Sequence, residues 1–238
     1  MYTIRKIETH LSDSQKEEIL KLLEENADDI ETYIVKKESP FYKYISILLV
    51  EKTKLLLLNL QVNTMRKMHL IVCENSLGNV IGFLLYHERF DSDDYTYKKQ
   101  VNFTDDVTIS SVAVDNNYRQ KGIFTKMVNF LKSNYKSIGL TCSIERVSLY
   151  EKLGFCVSGL YQTHIVMIWG NDDGSTKLWS IDDDFIRNLH PARFALQMIQ
   201  TELGSSFKRL LDSFNRDNDR EKKRAEKFIK NYKLEDKF

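Results

Sequence analysis

The first 26 residues show two different spacings of apolar side chains. Residues 2–7 (YTIRKI) predict a short strand. Ser12 or Ser14 then precedes QKEEILKLLEEN, in which Ile19 and Leu23 lie on one apolar side of a helix. Because serine is a favourable cap residue, this segment predicts a capped amphipathic helix.

The next segment, residues 27–64, also has a helical pattern. We expect a break at Ser39–Pro40, because proline disfavours the helical conformation in the residue before it. Phe41–Leu60 is apolar around much of its circumference, which indicates burial or a partner surface. Three charged residues between positions 51 and 54 interrupt its most apolar part, Ile45–Leu60, which is too short and too charged for a bilayer span of about 20 apolar residues.

After residue 64 the spacing changes to that of strands. His69–Cys73 and Asn79–Tyr86 flank a glycine-containing turn at Asn75–Asn79, which predicts a hairpin. The polar residues 91–106 predict a long loop or the frayed end of the next strand. Val107–Val114 is that next strand.

The second half of the chain alternates helices and strands. The pattern predicts a helix at 125–132, a strand at 140–144, a short helix at 146–152 ended by Gly154, and a final hairpin of 160–169 with 177–181 that turns at Asn171–Gly174. From Asp183 onward the chain has a helical, amphipathic pattern. Its tail mixes both charge signs, so it is either a solvated helix with a narrow docking stripe or a partner-binding helix. The order of elements predicts a mixed α/β fold in which helices cover a sheet.

Composition sets broad limits on function. Hydrophobic residues make up 42% of the 238 residues and charged residues 29%, which is typical of a globular core. The 35 Lys and Arg residues nearly balance the 34 Asp and Glu residues, which argues against a nucleic-acid or anionic-membrane partner. Cys73, Cys142 and Cys156 lie in apolar runs, so we expect buried small hydrophobes rather than a disulfide or a metal site. The start of the sequence has no long apolar region, and we expect a cytoplasmic protein.

The join between the strand at 107–114 and the helix after it (DNNYRQKGIF) carries candidate chemistry. A helix start leaves about four backbone N–H groups without intrahelical acceptors and carries partial positive charge, which suits phosphate. Gly122 would let the backbone approach a ligand closely, and Arg119 and Lys121 add positive charge. Most such joins bind nothing, so an anion site and a plain connection both stay open on these grounds.

Two sequence motifs favour the anion site. Val112–Phe124 (VAVDNNYRQKGIF) closely resembles motif A of the GCN5-related N-acetyltransferase (GNAT) superfamily: an Arg or Gln, two residues, Gly, one residue, then Gly or Ala. Phe124 departs from that last small residue. Ser143–Phe155 (SIERVSLYEKLGF) resembles motif B, in which Leu-Tyr-Glu-Lys-x-Gly-Phe is characteristic and Asn often replaces Ser143.

The resemblance covers residues 68–182 well and the N-terminal helices loosely. It implies a GNAT-type mixed, mainly antiparallel sheet flanked by helices over residues 1–182, with 27–64 on the acceptor side. Residues 183–238 would form a helical C-terminal extension outside the family pattern.

The resemblance also implies an acetyl-CoA-dependent N-acetyltransferase without a metal, which moves the acetyl group to a primary amine by direct attack in a ternary complex. The loop 119–125 would hold the pyrophosphate, and the backbone at Val112 and Val114 would polarise the thioester. The family's acetyl-CoA-binding positions fall here on Val112, Val114, Arg119, Gln120, Lys121, Gly122, Ile123, Phe124, Thr125, Ser143 and Ser148.

Tyr150 matches the tyrosine that is the family's usual general acid, and a phenol of pKa about 10 can protonate a thiolate of pKa about 8.5. The base is less defined, because Ser110 and Ser111 stand where many members have a strand carboxylate. The candidates elsewhere are His87, Glu88, Asp105, Asp106 and His164. A water chain through Ser110 to Asp106 or Glu88 is the preferred arrangement.

The acceptor stays open between a small amine, an amino acid and a peptide. Aspartates at 91, 93, 94, 105 and 106 could form an acidic rim that attracts a cation, although Lys98 and Lys99 partly cancel it. Leucines at 55–58 could form a homodimer contact. Two alternatives remain: a GNAT-fold acetyl-CoA-binding or interaction module without transferase activity, and a toxin-type enzyme acting on a macromolecule such as aminoacyl-tRNA.

Overall fold

The structure, a computed structural model, describes residues 2–7, 10–60, 62, 66–90, 102–172 and 174–235. Its strands are β1 (Tyr2–Ile7), β2 (Met68–Asn75), β3 (Val80–Phe90), β4 (Phe103–Val114), β5 (Ser137–Cys142), β6 (Cys156–Tyr161) and β7 (His164–Gly170). Its α-helices are α1 (Asp13–Glu25), α2 (Ala27–Ile30), α3 (Tyr42–Leu57), α4 (Ile123–Lys132), α5 (Val147–Glu151), α6 (Asp183–Asn188), α7 (His190–Leu203) and α8 (Phe207–Glu235).

One open sheet of seven strands runs in the order β1-β2-β3-β4-β5-β7-β6. The first four strands are antiparallel neighbours, and β4 pairs with β5 in parallel. Helices flank this sheet and a long helix ends the chain, so the predicted mixed, mainly antiparallel α/β class is confirmed. Among the described residues, no helix is long and apolar enough to cross a membrane.

The chain forms two compact units that interleave along the sequence. The first unit contains Met1–Glu25, Thr53–Leu140 and Ile168–Ser180. The second unit contains Asn26–Lys52, Thr141–Met167 and Ile181–Phe238. Each is described separately below.

The core of the first unit lies on its central strands. Most of β2 and nearly all of β3 are buried on both faces, which explains why their sequences are continuous apolar runs. Helix α1 contributes Ile19, Leu22 and Leu23 to this core. Helix α4 also packs onto β3 and β4, through its buried residues Ile123, Met127, Val128 and Leu131.

In the second unit, helix α8 packs onto the segment that joins α2 and α3. The Phe214 ring centroid lies 5.3 Å from that of Phe41 and 6.4 Å from that of Tyr33. Asn218 Oδ1 accepts a hydrogen bond of 2.8 Å from the Ile34 N–H, and Asn218 Nδ2 donates one of 3.4 Å to the Ile34 carbonyl. Most other side chains of α8 are exposed, so this helix has a narrow packed stripe on a solvated body.

Two local predictions are wrong. The last hairpin consists of β6 and β7 with its turn at residues 162–163, where Gln162 has a left-handed backbone with φ 54°. The Gly174 N–H donates to Asp172 Oδ1 at 3.0 Å, and Lys177 forms only an isolated bridge with Phe90, so residues 177–181 are not the second strand of a hairpin. Cys156 is exposed because it begins β6, the last strand in the sheet order, whereas Cys73 and Cys142 are buried; all three are free thiols.

Candidate active site

Strands β4 and β5 pair over only a short length. The paired residues are Asp106 with Ser137, Val107 with Ile138 and Thr108 with Gly139. Within the described stretch 102–140, residues 109–114 of β4 have no register partner on β5. The backbone of this part of β4 therefore offers polar groups to an extended ligand, as a free strand edge does.

The same part of β4 contains a bulge. Leu85 pairs with Ser111 and Tyr86 with Ile109, so Ser110 is an extra residue on β4. A bulge leaves its extra residue outside the regular ladder and redirects the side chains around it. Ser110 therefore lies in irregular backbone two residues before Val112, which is half-buried.

The loop after β4 has a constrained backbone. The Asp115 N–H donates to the Ile81 carbonyl at 2.9 Å, and the Asp115 carboxylate accepts from the Asn117 N–H at 2.8 Å. Gln120 has φ 62°, a left-handed conformation that is uncommon for a residue other than glycine and that clusters at ligand sites. Gly122 has φ 75°, and a Cβ there would meet no protein atom within 4 Å. Glycine is therefore favoured at this position by its left-handed backbone and not by crowding.

Helix α4 begins directly after Gly122, and no side chain caps its first turn. The two cations of the loop fold back onto their own backbone. Arg119 Nε donates to the Val114 carbonyl at 3.3 Å, and Lys121 Nζ donates to the Asn117 carbonyl at 2.9 Å. Both side chains and Gln120 are exposed, while Phe124 is half-exposed and Ile123 is buried. An exposed, uncapped helix start beside two cations is a suitable anion site.

A cleft of about 410 Å³ lies beside the first half of this loop, between residues 115–118, helix α1 and the β2–β3 turn. Its charged lining consists of Glu18, Glu25 and Asp115 against Lys21. An acidic lining repels phosphate. Residues 119–125 are not part of this lining.

Glu88, one of the predicted catalytic carboxylates, is held in a small polar cluster. His69 Nε2 lies 3.1 Å from Glu88 Oε1, and the Tyr135 hydroxyl lies 3.5 Å from the same oxygen. The contact with His69 lowers the pKa of Glu88 below its usual value, although burial opposes this. Asp106, the other predicted carboxylate, begins the short β4–β5 pairing. Its neighbour Asp105 forms an ion pair of 2.7 Å with Lys136.

His87 lies on the opposite face of β3 from Glu88, because successive side chains of a strand alternate. Its Nδ1 is 3.0 Å from Ser110 Oγ. Burial, and next the charge of Arg89, lower the pKa of His87 to about 4, so the ring is neutral at pH 7. The structure thus pairs Ser110 with His87.

The second unit holds the remaining predicted residues. Tyr150 on α5 is only 8% exposed and packs edge-on against Phe155, with ring centroids 5.8 Å apart. Burial, and next the Cys142 thiol, raise the pKa of Tyr150, so its hydroxyl keeps its proton at neutral pH. Ser143 precedes the 3-10 turn before α5 and is half-buried, and Ser148 is exposed on α5. His164 is buried, which lowers its pKa to about 4.

The family model for the acetyltransferase (GNAT) family matches residues 23–155, more than half of the chain. The chain belongs to the GNAT acetyltransferases. A similar solved structure is the PaiA N-acetyltransferase of Thermoplasma acidophilum in complex with coenzyme A, with 16% identity and a TM-score of 0.51 over 72% of this chain and 99% of that one. A GCN5-related N-acetyltransferase from Kribbella flavida has 16% identity and a TM-score of 0.46 over 71% of this chain and 98% of that one. No curated protein matches the sequence.

The sequence of this GNAT protein did not identify His69 as the residue that contacts Glu88. His69 lies opposite Tyr86 in the β2–β3 register, and their rings stack with centroids 5.0 Å apart. The predicted turn at 75–79 indicates this pairing only to within one residue, because the register shifts between Cys73 and Glu74. The expected acidic positions 91, 93 and 94 lie outside the described residues.

Proposed function

We propose that the protein is an acetyl-CoA-dependent N-acetyltransferase that moves an acetyl group to a primary amine by direct attack in a ternary complex. One observation carries this proposal within the family: the constrained loop at 119–122 leads from the free stretch of β4 into the uncapped start of α4. This arrangement can bind an extended cofactor along β4 and its pyrophosphate at the helix start.

Acetyl-CoA would contact the positions predicted from the sequence. In the first unit, the backbone of Val112 and Val114 would polarise the thioester, and residues 119–125 would hold the pyrophosphate. Phe124 fits this role through its backbone, since its side chain belongs to the first turn of α4 and is half-exposed. Ser143 and Ser148 remain proposed as further contacts.

The reaction needs a neutral amine, stabilisation of the oxyanion and a proton for the leaving thiolate. The amine attacks the thioester carbon to form a C–N bond, the C–S bond then breaks, and the thiolate takes the Tyr150 proton. Glu88 or Asp106 would receive the amine proton through water. Glu88 is ionised at neutral pH and is therefore ready to accept a proton.

The acceptor is proposed to be a small amine, an amino acid or a peptide. We place the reaction in the cytoplasm, where acetyl-CoA is available. Residues 1–182 would form the catalytic part and 183–238 an extension to it. A homodimer through residues 55–58 remains a prediction; Leu58 is 74% exposed and could take part.

The test is acetyl-CoA binding by calorimetry, followed by CoA release with a panel of amines, amino acids, lysine peptides and aminoacyl-tRNA. We expect binding and release with at least one acceptor. Binding without release for any acceptor would support the non-catalytic module instead. Release only with aminoacyl-tRNA would support the toxin-type reading.

Tyr150→Phe tests the general acid. We expect turnover to fall by about 100-fold or more, because general acid catalysis typically contributes that much. The dissociation constant for acetyl-CoA should stay within about twofold, since the ring and its packing against Phe155 remain. A thiol-release assay measures the first quantity and calorimetry the second. Unaltered turnover would contradict the assignment of Tyr150.

A further inference from the structure

A buried histidine beside the β4 bulge has an incomplete set of hydrogen bonds. His87 is 8% exposed, and its Nδ1 contacts Ser110 Oγ at 3.0 Å. Its Nε2 is buried without a hydrogen-bond partner in the described part of the chain. Buried side-chain nitrogen atoms are nearly always paired, so this exception needs a reason.

The environment of His87 decides how it bonds to Ser110. The ring is neutral at pH 7, because burial and the Arg89 charge disfavour the imidazolium. A neutral ring carries one N–H, and an orphaned buried N–H is rarer than an orphaned acceptor. We therefore assign the hydrogen to Nδ1, so that it donates to Ser110 Oγ and leaves Nε2 as a bare acceptor.

This assignment leaves the Ser110 O–H available as a donor. Ser110 is half-buried and lies two residues before Val112, about 7 Å along the strand at a rise of about 3.3 Å per residue. It is also the extra residue of the bulge, where the side chain departs from the regular alternation. The hydroxyl therefore lies on the same stretch of β4, residues 109–114, beside which the proposed function places the thioester.

We propose that the Ser110 hydroxyl donates a hydrogen bond to the thioester oxygen as it becomes negative, and that His87 is a positioning residue that aligns this hydroxyl. The inference rests on the proposed acetyl transfer and adds a side-chain donor to it. A preorganised donor stabilises the oxyanion more than the neutral carbonyl, so its effect appears in kcat.

The experiment compares Ser110→Ala, His87→Leu and the double variant, with the amine that gives the highest turnover in the acceptor panel. Each single variant should lower kcat by about tenfold or more, while the acetyl-CoA dissociation constant stays within about twofold. The double variant should be no slower than Ser110→Ala, because His87 acts only through Ser110. His87→Asn should recover most of the loss, since its amide can occupy the Nδ1 position.

Ser111→Ala is the matched control, because it removes the same atom from the next residue without touching the His87 contact. If His87→Leu does not fold, His87→Gln replaces it, since its amide reaches the Nε2 position instead. Wild-type kcat in Ser110→Ala, or multiplied losses in the double variant, would overturn this inference alone. A wild-type protein that releases no CoA with any acceptor would overturn the proposed function itself.

Discussion

At the scale of single residues, two glycines share a left-handed backbone, but only one of them lies in the proposed ligand site. Comparing them distinguishes the cost of backbone strain from an effect on ligand binding. Gly122 and Gly78 have φ of +75° and +85°, and an added Cβ would meet no atom within 4 Å at either position. An alanine at either site is strained only by its left-handed backbone, at a cost of about 1–2 kcal/mol. Gly78 lies in the β2–β3 turn, whereas Gly122 precedes α4 in the proposed pyrophosphate loop.

We expect Gly122→Ala and Gly78→Ala to lower the free energy of unfolding by similar amounts. Only Gly122→Ala should weaken acetyl-CoA binding, by about tenfold, because relief of the strain would move the N–H groups of the loop. Urea unfolding and calorimetry measure the two quantities. Equal affinity in the two variants would argue against a phosphate site at this loop.

The residue scale also shows what a sequence motif can predict. The motif pointed to Gly122 as a place where the backbone could approach a ligand closely, and the structure adds that its backbone is left-handed, with φ 75°. The left-handed Gln120 did not follow from the motif, since nothing in a glutamine side chain demands φ 62°. The pairing of His87 with Ser110 also depends on a one-residue bulge in β4, and alternating hydrophobicity does not specify such a bulge.

At the scale of elements, a buried ion pair joins β3 to the segment after β7. Arg89 Nη1 lies 2.6 Å from Asp172 Oδ2, and the two side chains are 9% and 6% exposed. Arg89 Nη2 also donates to Ser137 Oγ on β5 at 3.2 Å. The ion pair therefore gives Asp172 a structural role in a segment for which the sequence predicts a hairpin turn.

Asp172→Ala should lower the free energy of unfolding by about 3–5 kcal/mol, because it leaves the Arg89 charge buried and unpaired. Asp217→Ala is the control, since Asp217 pairs with Arg220 on the surface of α8 and is 57% exposed. Such a surface pair contributes less than about 1 kcal/mol. Denaturant unfolding of both variants makes the comparison, and equal losses would show that the buried pair is dispensable.

Helix α8 was predicted as a helix, but its docking was left open between two interpretations. The packed stripe of α8 is hard to recognise in its charged sequence, because Phe214 and Asn218 lie among many exposed polar residues. Their partners, Tyr33, Ile34 and Phe41, lie more than 170 residues earlier. Contacts at such separation cannot be derived from the periodicity of either segment alone.

Asn218→Ala should increase hydrogen exchange at the Ile34 N–H by about fivefold, which corresponds to the loss of about 1 kcal/mol from one hydrogen bond. Asn215→Ala is the matched control, because Asn215 is an exposed residue of the same helix. Exchange monitored by NMR or mass spectrometry measures the effect. The same exchange rate in both variants would contradict the docking of α8 onto Ile34.

At the scale of the whole molecule, two buried histidines and one half-buried glutamate set the response to acid. His87 in the first unit and His164 in the second have pKa values lowered to about 4, mainly by burial. Glu31 in the second unit has a pKa raised to about 7, also mainly by burial. The unfolded values are about 6.5 for histidine and 4.3 for glutamate.

Between pH 6.5 and 4.5, the two histidines and Glu31 change the free energy of unfolding in opposite directions. The unfolded state binds more protons than the folded state at each histidine, so acid destabilises the fold there. The folded state binds more protons at Glu31, so acid stabilises the fold there. Each group changes the free energy of unfolding by about 2 kcal/mol over this range, and the net loss should be about 2 kcal/mol.

Two variants separate these terms in urea unfolding at pH 6.5 and 4.5. His87→Asn should abolish most of the acid loss, because Glu31 then compensates His164 alone. Glu31→Gln should roughly double the loss, because it removes the only compensating group of the three. Glu74 and Glu88 do not interfere with this comparison. Their pKa values are lowered, so they are protonated only at a pH below this range. A Glu31→Gln protein with the wild-type loss would show that this carboxyl is not held in its protonated form by the fold.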